Sequence, residues 1–238
     1  MDIYSPIFTR ASTRKYSTAP LPLETLEQIE AFIASVKPLV PDVKLTHRIV
    51  GADGVKGMAL PQAPHYLLIS GKEQELRNTC AGFLYQHAEL YMYSIGLATR
   101  WLSSVKSKQP DPDFIIGMAF GKPSVPTMRK PEEFDRKPLS EIAKGTDSRL
   151  DAVRLAPSGM NGQPWYFIVD GESIHVYFKP SLGGIKGALY HHTNIDLGIA
   201  LCHLDVASEH EGKPFSFTTG NNGAPEPPQG FVYVGTVS

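Results

Sequence analysis

Arg10, Ser12 and Arg14 alternate within the segment RASTR near the start of the chain. In an extended or turning backbone such alternation lets two guanidiniums and a hydroxyl point the same way. Two fixed cations with planar donor forks, joined by a hydroxyl, suit a phosphate monoester. A solvated basic segment is the plainer reading of the same spacing. A second stretch, LAPSGMNGQPWYF from Leu155 to Phe167, ends a helix-like run on Pro157, passes through small turn formers to Asn161 and re-emerges as an aromatic strand. Such a turn offers backbone N–H groups to something flat and polar. Ser158 inside it lacks the setting of a nucleophile, since G-x-S-x-G is absent and no His/Asp pair is placed to activate it.

Other motifs carry less chemistry. Gly51, Gly54 and Gly57 are followed by Pro61 and Pro64 rather than a helix, which excludes a dinucleotide fingerprint or a P-loop. FGKP at Phe120 to Pro123 lacks the Ser or Thr that follows a P-loop lysine. His191, His192, His203 and His210 form no helical metal pair, so no metal is expected. His87 shares the apolar face of a helical run and reads as a hydrogen-bonded core histidine. Cys80 and Cys202 each fall in an apolar stripe, which argues for buried thiols in a reducing compartment rather than a disulfide.

The 23 basic and 24 acidic residues leave a net charge of −1 with no long run of one sign, so neither nucleic acid nor an anionic membrane is an expected partner. With 238 residues, 42% hydrophobic and 20% charged, the chain can bury a real core. No window approaches the roughly 18 apolar residues of a membrane span, and MDIYSPIFTR lacks a signal pattern, so the expectation is a cytoplasmic protein.

The elements that must position these residues follow from periodicity. Leu26, Ile29, Ile33 and Val36 make an amphipathic helix from Leu23 to Val36. Leu45 to Val50 and Tyr66 to Ile69 read as strands, Glu73 to Leu97 as the longest helix, with Gly96 loosening its end, and Phe114 to Phe120 as a further strand. Lys122 to Pro138 holds four prolines without periodicity and reads as a crossover linker. A helix from Asp147, strands Trp165 to Val169 and Ile174 to Phe178, a long helix from Asn194 to about Glu209, and strands Phe215 to Thr218 and Phe231 to Val234 follow. The order helix, strand, strand, long helix, strand thus occurs twice, as in an internal duplication; independent recurrence of so common an order is the alternative.

RASTRKYS, the GLATRWL segment that closes the long helix, and APSGMNGQPW together resemble the nitroreductase family of FMN-dependent oxidoreductases, and IDLGIALCHL resembles a subgroup of it. The resemblance implies an α+β fold of central, mostly antiparallel sheets flanked by helices, with FMN in the interface of a homodimer. Carried over by motif, Arg10, Ser12 and Arg14 grip the FMN phosphate, Pro157, Ser158 and Asn161 contact the isoalloxazine ring, and the backbone around Leu102 and Ser103 reaches its N5 and O4 edge. DRKPLSEI looks like the family's basic segment and adds Arg136 to the clamp, while Phe134 stands where a second basic residue is often found.

In the homodimeric relatives the R-x-S-x-R segment of one subunit meets the P-S-x-x-N turn of the other. Here the half-repeat at about 1–121 has the phosphate motif but SVKPL in place of the turn, whereas the half-repeat at about 139–238 has the turn but no clear phosphate motif. The expectation is one FMN-binding unit over 1–238, with linker about 122–138 and two pseudo-equivalent halves packed through their long helices. Such an intrachain pseudo-dimer can exist as a monomer; a true homodimer is the alternative. The implied activity passes hydride from NADH or NADPH through FMN to a nitroaromatic, quinone or similar small acceptor. A flavin-binding storage or sensing protein without turnover is the competing reading, and oxidative chemistry on the flavin itself a third.

Overall fold

Proline sets where the first helix begins. Pro22, at φ −56°, leads into α1 (Leu23–Ser35), whose buried Ile29 and Ile33 mark the inward face. The computed structural model describes residues 1–180, 193–220 and 223–238. The chain divides into two compact units, one of Met1–Arg77 with Leu84–Pro131, the other of Asn78–Phe83 with Glu132–Ser238.

The first unit holds a four-stranded antiparallel sheet in the order β1, β3, β6, β4. Its strands are β1 (Leu45–Val50), β3 (His65–Gly71), β4 (Ala98–Leu102) and β6 (Phe114–Gly121). A separate ribbon pairs β2 (Val55–Gly57) with β5 (Val105–Ser107). Every residue of β3 is buried, its Leu67-Leu68-Ile69 run suiting an interior strand rather than a half-exposed alternating one.

Two expectations change around the long helix, α2 (Arg77–Ser94). It starts later than Glu73 because Leu76, at φ 58°, lies in the left-handed region and cannot continue a helix. GLATRWL does not close it. Gly96, at φ 79°, donates its N–H to Tyr93 O at 3.0 Å and Leu97 donates to Met92 O at 2.9 Å, the paired bonds of a Schellman motif. The chain turns there and leaves as β4, which pairs with β6 from Ala98↔Gly121 to Leu102↔Gly117.

The second unit holds a five-stranded sheet in the order β10, β11, β9, β8, β7. These are β7 (Ala143–Lys144), β8 (Trp165–Asp170), β9 (Ser173–Phe178), β10 (Phe217–Thr218) and β11 (Val232–Val237), with only β7 joining in parallel. A short helix α3 (Leu139–Ile142) precedes β7, a second, α4 (Leu150–Arg154), lies between β7 and β8, and α5 (Thr193–Glu211) follows β9. The helix expected from Asp147 begins at Leu150, because the Asp147 carboxylate accepts the Arg149 N–H at 2.9 Å and forms a turn first. Strand for strand, β1, β3, β6, β4 and β8, β9, β11, β10 have one order, in each case first, second, fourth, third, with the long helix between second and third.

Within the second unit the opening turns of α2 meet α5 backbone to backbone. A Cβ on Gly82 would stand 2.0 Å from Ile195 O, and a Cβ on Gly198 would stand 1.9 Å from Thr79 O. The contact is reciprocal: each glycine faces the carbonyl three residues before the other. Beside it Phe83 stacks on Phe215 at 5.8 Å between ring centroids. Among the described residues no helix is long and apolar enough to cross a membrane.

Candidate functional site

Each unit carries one of the predicted clusters, and each cluster is built from its own neighbours. In the first, the RASTRKYS backbone is pinned along its length. Ala11 N–H donates to Tyr93 Oη at 2.9 Å, Thr13 N–H to Thr99 O at 3.3 Å, and Ser17 N–H to Lys122 O at 2.9 Å. Thr13 also turns the chain locally, its Oγ1 accepting the Lys15 N–H at 3.1 Å.

The alternation does not present all three candidates alike. Arg10 is only 2% exposed. Its Nη2 donates to Glu89 Oε1 at 3.2 Å and to Ser12 Oγ at 3.3 Å. Its Nε lies 3.2 Å from Glu89 Oε2, close enough for an ion pair but misaligned, so neither atom gains a hydrogen bond. Glu89 Oε1 accepts Thr99 Oγ1 as well, at 2.8 Å. Ser12 and Arg14 are exposed, and Arg14 lines a cavity of about 440 Å³ with Lys15, Tyr16, Gln62 and Ser124 among others. Leu102 is buried at the end of β4 and Ser103 is exposed in the turn after it. Burial holds the Tyr16 phenol well above its usual range, so it stays neutral.

In the second unit the turn from Pro157 to Gln163 holds three non-glycine residues at positive φ: Met160 at 50°, Asn161 at 57° and Gln163 at 46°. Left-handed backbone of this kind costs on the order of 1–3 kcal/mol per residue and persists where neighbours over-determine it. The neighbours here are explicit. Asn161 Nδ2 donates to Asp135 O at 2.7 Å, and Asn161 Oδ1 accepts Arg136 Nη1 at 2.6 Å. Arg136 Nε donates to Ala156 O at 3.1 Å. Gln163 Oε1 accepts the Lys137 N–H at 2.8 Å, and Ser158 Oγ accepts the Gln163 N–H at 3.0 Å. The Phe134 ring, in place of a second cation, lies 5.7 Å from the Arg136 guanidinium. Arg136 and Asn161 therefore hold the turn in shape.

Asp196, in the first turn of α5, reaches the same turn: its Oδ1 accepts the Gly159 N–H at 3.0 Å. Burial pushes this carboxyl from 3.8 up to about 7, the hydrogen bond opposing the rise. Glu89, Arg100, Lys137, Gln163 and Asp196 are the residues sequence reasoning left without a part. Arg100, Lys137, Gln163 and Asp196 stand inside quoted motifs, GLATRWL, DRKPLSEI, APSGMNGQPW and IDLGIALCHL, and that adjacency is the signal available for them. His203 Nδ1 lies 2.9 Å from Ala152 O in the core; His191 and His192 lie outside the described residues. Among the described residues no three His, Cys, Asp or Glu side chains gather as metal ligands.

Over residues 2–208 the sequence matches the model of a family described as "Putative TM nitroreductase". The chain belongs to this nitroreductase family. Among solved structures this nitroreductase-family oxidoreductase is similar to a protein of Thermotoga maritima MSB8 described as a putative nitroreductase, at 18% identity and a TM-score of 0.71, covering 100% of this chain and 93% of that one. That likeness is one of fold, α+β with antiparallel sheets flanked by helices. A nitroreductase family protein of Clostridium difficile 630 aligns at 18% identity over 59% of this chain and 95% of its own, with a TM-score of 0.48. Another from Desulfovibrio desulfuricans, solved in complex with FMN, aligns at 18% identity over 59% of this chain and 94% of its own, with a TM-score of 0.44. No curated protein matches the sequence.

Proposed function

We propose that this nitroreductase-family oxidoreductase uses FMN, takes its electrons from NADH or NADPH, and passes them to a nitroaromatic, quinone or similar small acceptor. When bound, FMN supplies the hydride chemistry, receiving hydride from the nicotinamide and releasing it to the acceptor. The part of this chain is to bind and orient. The observation that carries the reading is the preorganised turn from Pro157 to Gln163 in a chain of this family. Its side-chain polar groups face inward onto Asp135, Arg136 and Lys137, which leaves the crest at Gly159 and Met160 exposed for a flat ring. A turn held rigid before the ligand arrives loses little freedom on binding.

Purified protein mixed anaerobically with NADPH or NADH tests the reading. Bleaching of the flavin's visible absorption supports the enzyme. Persistent colour favours storage or sensing instead, and protein that takes up no FMN defeats the cofactor assignment.

A further inference from the structure

Arg100 has no part in the assignments above, yet the fold brings it to the RASTRKY segment. It lies on β4 beside Thr99, whose carbonyl accepts the Thr13 N–H at 3.3 Å. On its other side, the Tyr16 hydroxyl donates to Ala119 O at 3.3 Å, and Ala119 is the cross-strand partner of Arg100. Arg14, Tyr16 and Arg100 therefore converge next to the 440 Å³ cavity that Arg14 and Tyr16 line. Burial and the nearby charge of Arg14 hold the Arg100 guanidinium below its usual value. Among the described residues neither the Arg14 nor the Arg100 guanidinium makes an ion pair or a side-chain hydrogen bond.

The Glu89 carboxylate is committed to Arg10 and Thr99. Arg10 is thus answered by Glu89, whereas among the described residues no ion pair answers Arg14 or Arg100, and the charge of Arg14 acts on Arg100. A phosphate monoester carries close to two negative charges at neutral pH and takes donors from several sides. We infer that Arg14 and Arg100 form the two-guanidinium clamp for a phosphate monoester, and that Arg10, held by Glu89, positions the segment that carries Arg14. This deepens the FMN reading and rests on it, by naming the residues that distinguish FMN from riboflavin.

The test measures FMN and riboflavin dissociation constants by flavin fluorescence on the full chain, with Arg100→Gln, Arg14→Gln and, as a control for general charge, Lys108→Gln. Loss of one charge-assisted contact is expected to weaken FMN roughly 10- to 100-fold in either arginine variant, with riboflavin changed less than about twofold and the control unaffected. Equal loss of both flavins in Arg100→Gln, or loss of neither, overturns the clamp. Thermal unfolding in inorganic phosphate at constant ionic strength gives a second readout independent of flavin. The wild-type midpoint is expected to rise with phosphate and the Arg100→Gln midpoint to stay flat; a wild-type midpoint that does not respond overturns the clamp. If the wild type binds neither flavin, the FMN reading fails and the phosphate response alone decides the anion site.

Discussion

At the scale of single residues, Asp196 gives the clearest pH signature. Its carboxyl titrates near 7 in the folded chain against 3.8 in the unfolded one, so the folded state holds the proton more tightly. Below about pH 3 both states are protonated and the residue is neutral to stability. From there to about pH 7 the folded state pays an increasing penalty for ionising a buried group, and above that the penalty is constant. Asp196→Asn is therefore expected to match the wild type near pH 3 and to exceed it at pH 8, by on the order of 4 kcal/mol. Urea titrations at the two pH values check this; a difference equal at both removes the ionisation argument. Asn161 separates contact from backbone in the same way. Both Asn161→Ala and Asn161→Gly lose the bonds to Asp135 and Arg136, but only alanine must also hold φ at 57°. Alanine is expected to cost about 1 kcal/mol more than glycine, measured by denaturant unfolding.

At the scale of elements, a glycine that ends a helix and one inside a helix face different physics. A Cβ on Gly96 meets nothing within 4 Å, so Gly96→Ala is expected to cost about 1 kcal/mol for its left-handed φ. Gly198→Ala drives a methyl to 1.9 Å from the Thr79 carbonyl, a backbone atom that no rotamer change can move aside. A loss of about 3 kcal/mol or more, or failure to fold, is expected, and Gly82→Ala should match it because the contact is mutual. Thermal melts of the three variants rank them. The same elements show what the sequence makes legible. β1 is read at its observed bounds, and α1 within a residue, because proline and periodicity mark both. β4 is missed because Leu97 continues the helical period past Gly96, and five residues are too few to establish an alternation of their own. β7, at two residues, has no period at all. Arg14 and the Pro157 to Asn161 turn are legible as local motifs, whereas the partner that commits Arg10 lies 79 residues away. No local pattern encodes such a pairing.

At the scale of the whole molecule, the FMN proposal sets a stoichiometry. We propose that the two half-repeats form an intrachain pseudo-dimer with one FMN; the shared strand order and the mutual glycine contact support this. Light scattering combined with flavin absorbance is expected to give a monomer of 26.1 kDa with one FMN, against a homodimer with two sites. Mixing an Arg14→Ala chain with an Asn161→Ala chain is expected to restore no wild-type site; recovery defeats the single-chain proposal. The division of the chain also has a practical side. Residues Asn78–Phe83 belong with Glu132–Ser238, although they precede Pro131 in sequence. A cut after Pro131 therefore yields two pieces of unequal independence. The piece 132–238 loses the helical turns that cover Ile195 and Gly198, leaving bare backbone of α5 in water, while the piece 1–131 carries those turns with nothing to rest on. The severed pieces should be poorly soluble apart and recover one another when co-expressed, which makes this position a natural break for a split reporter.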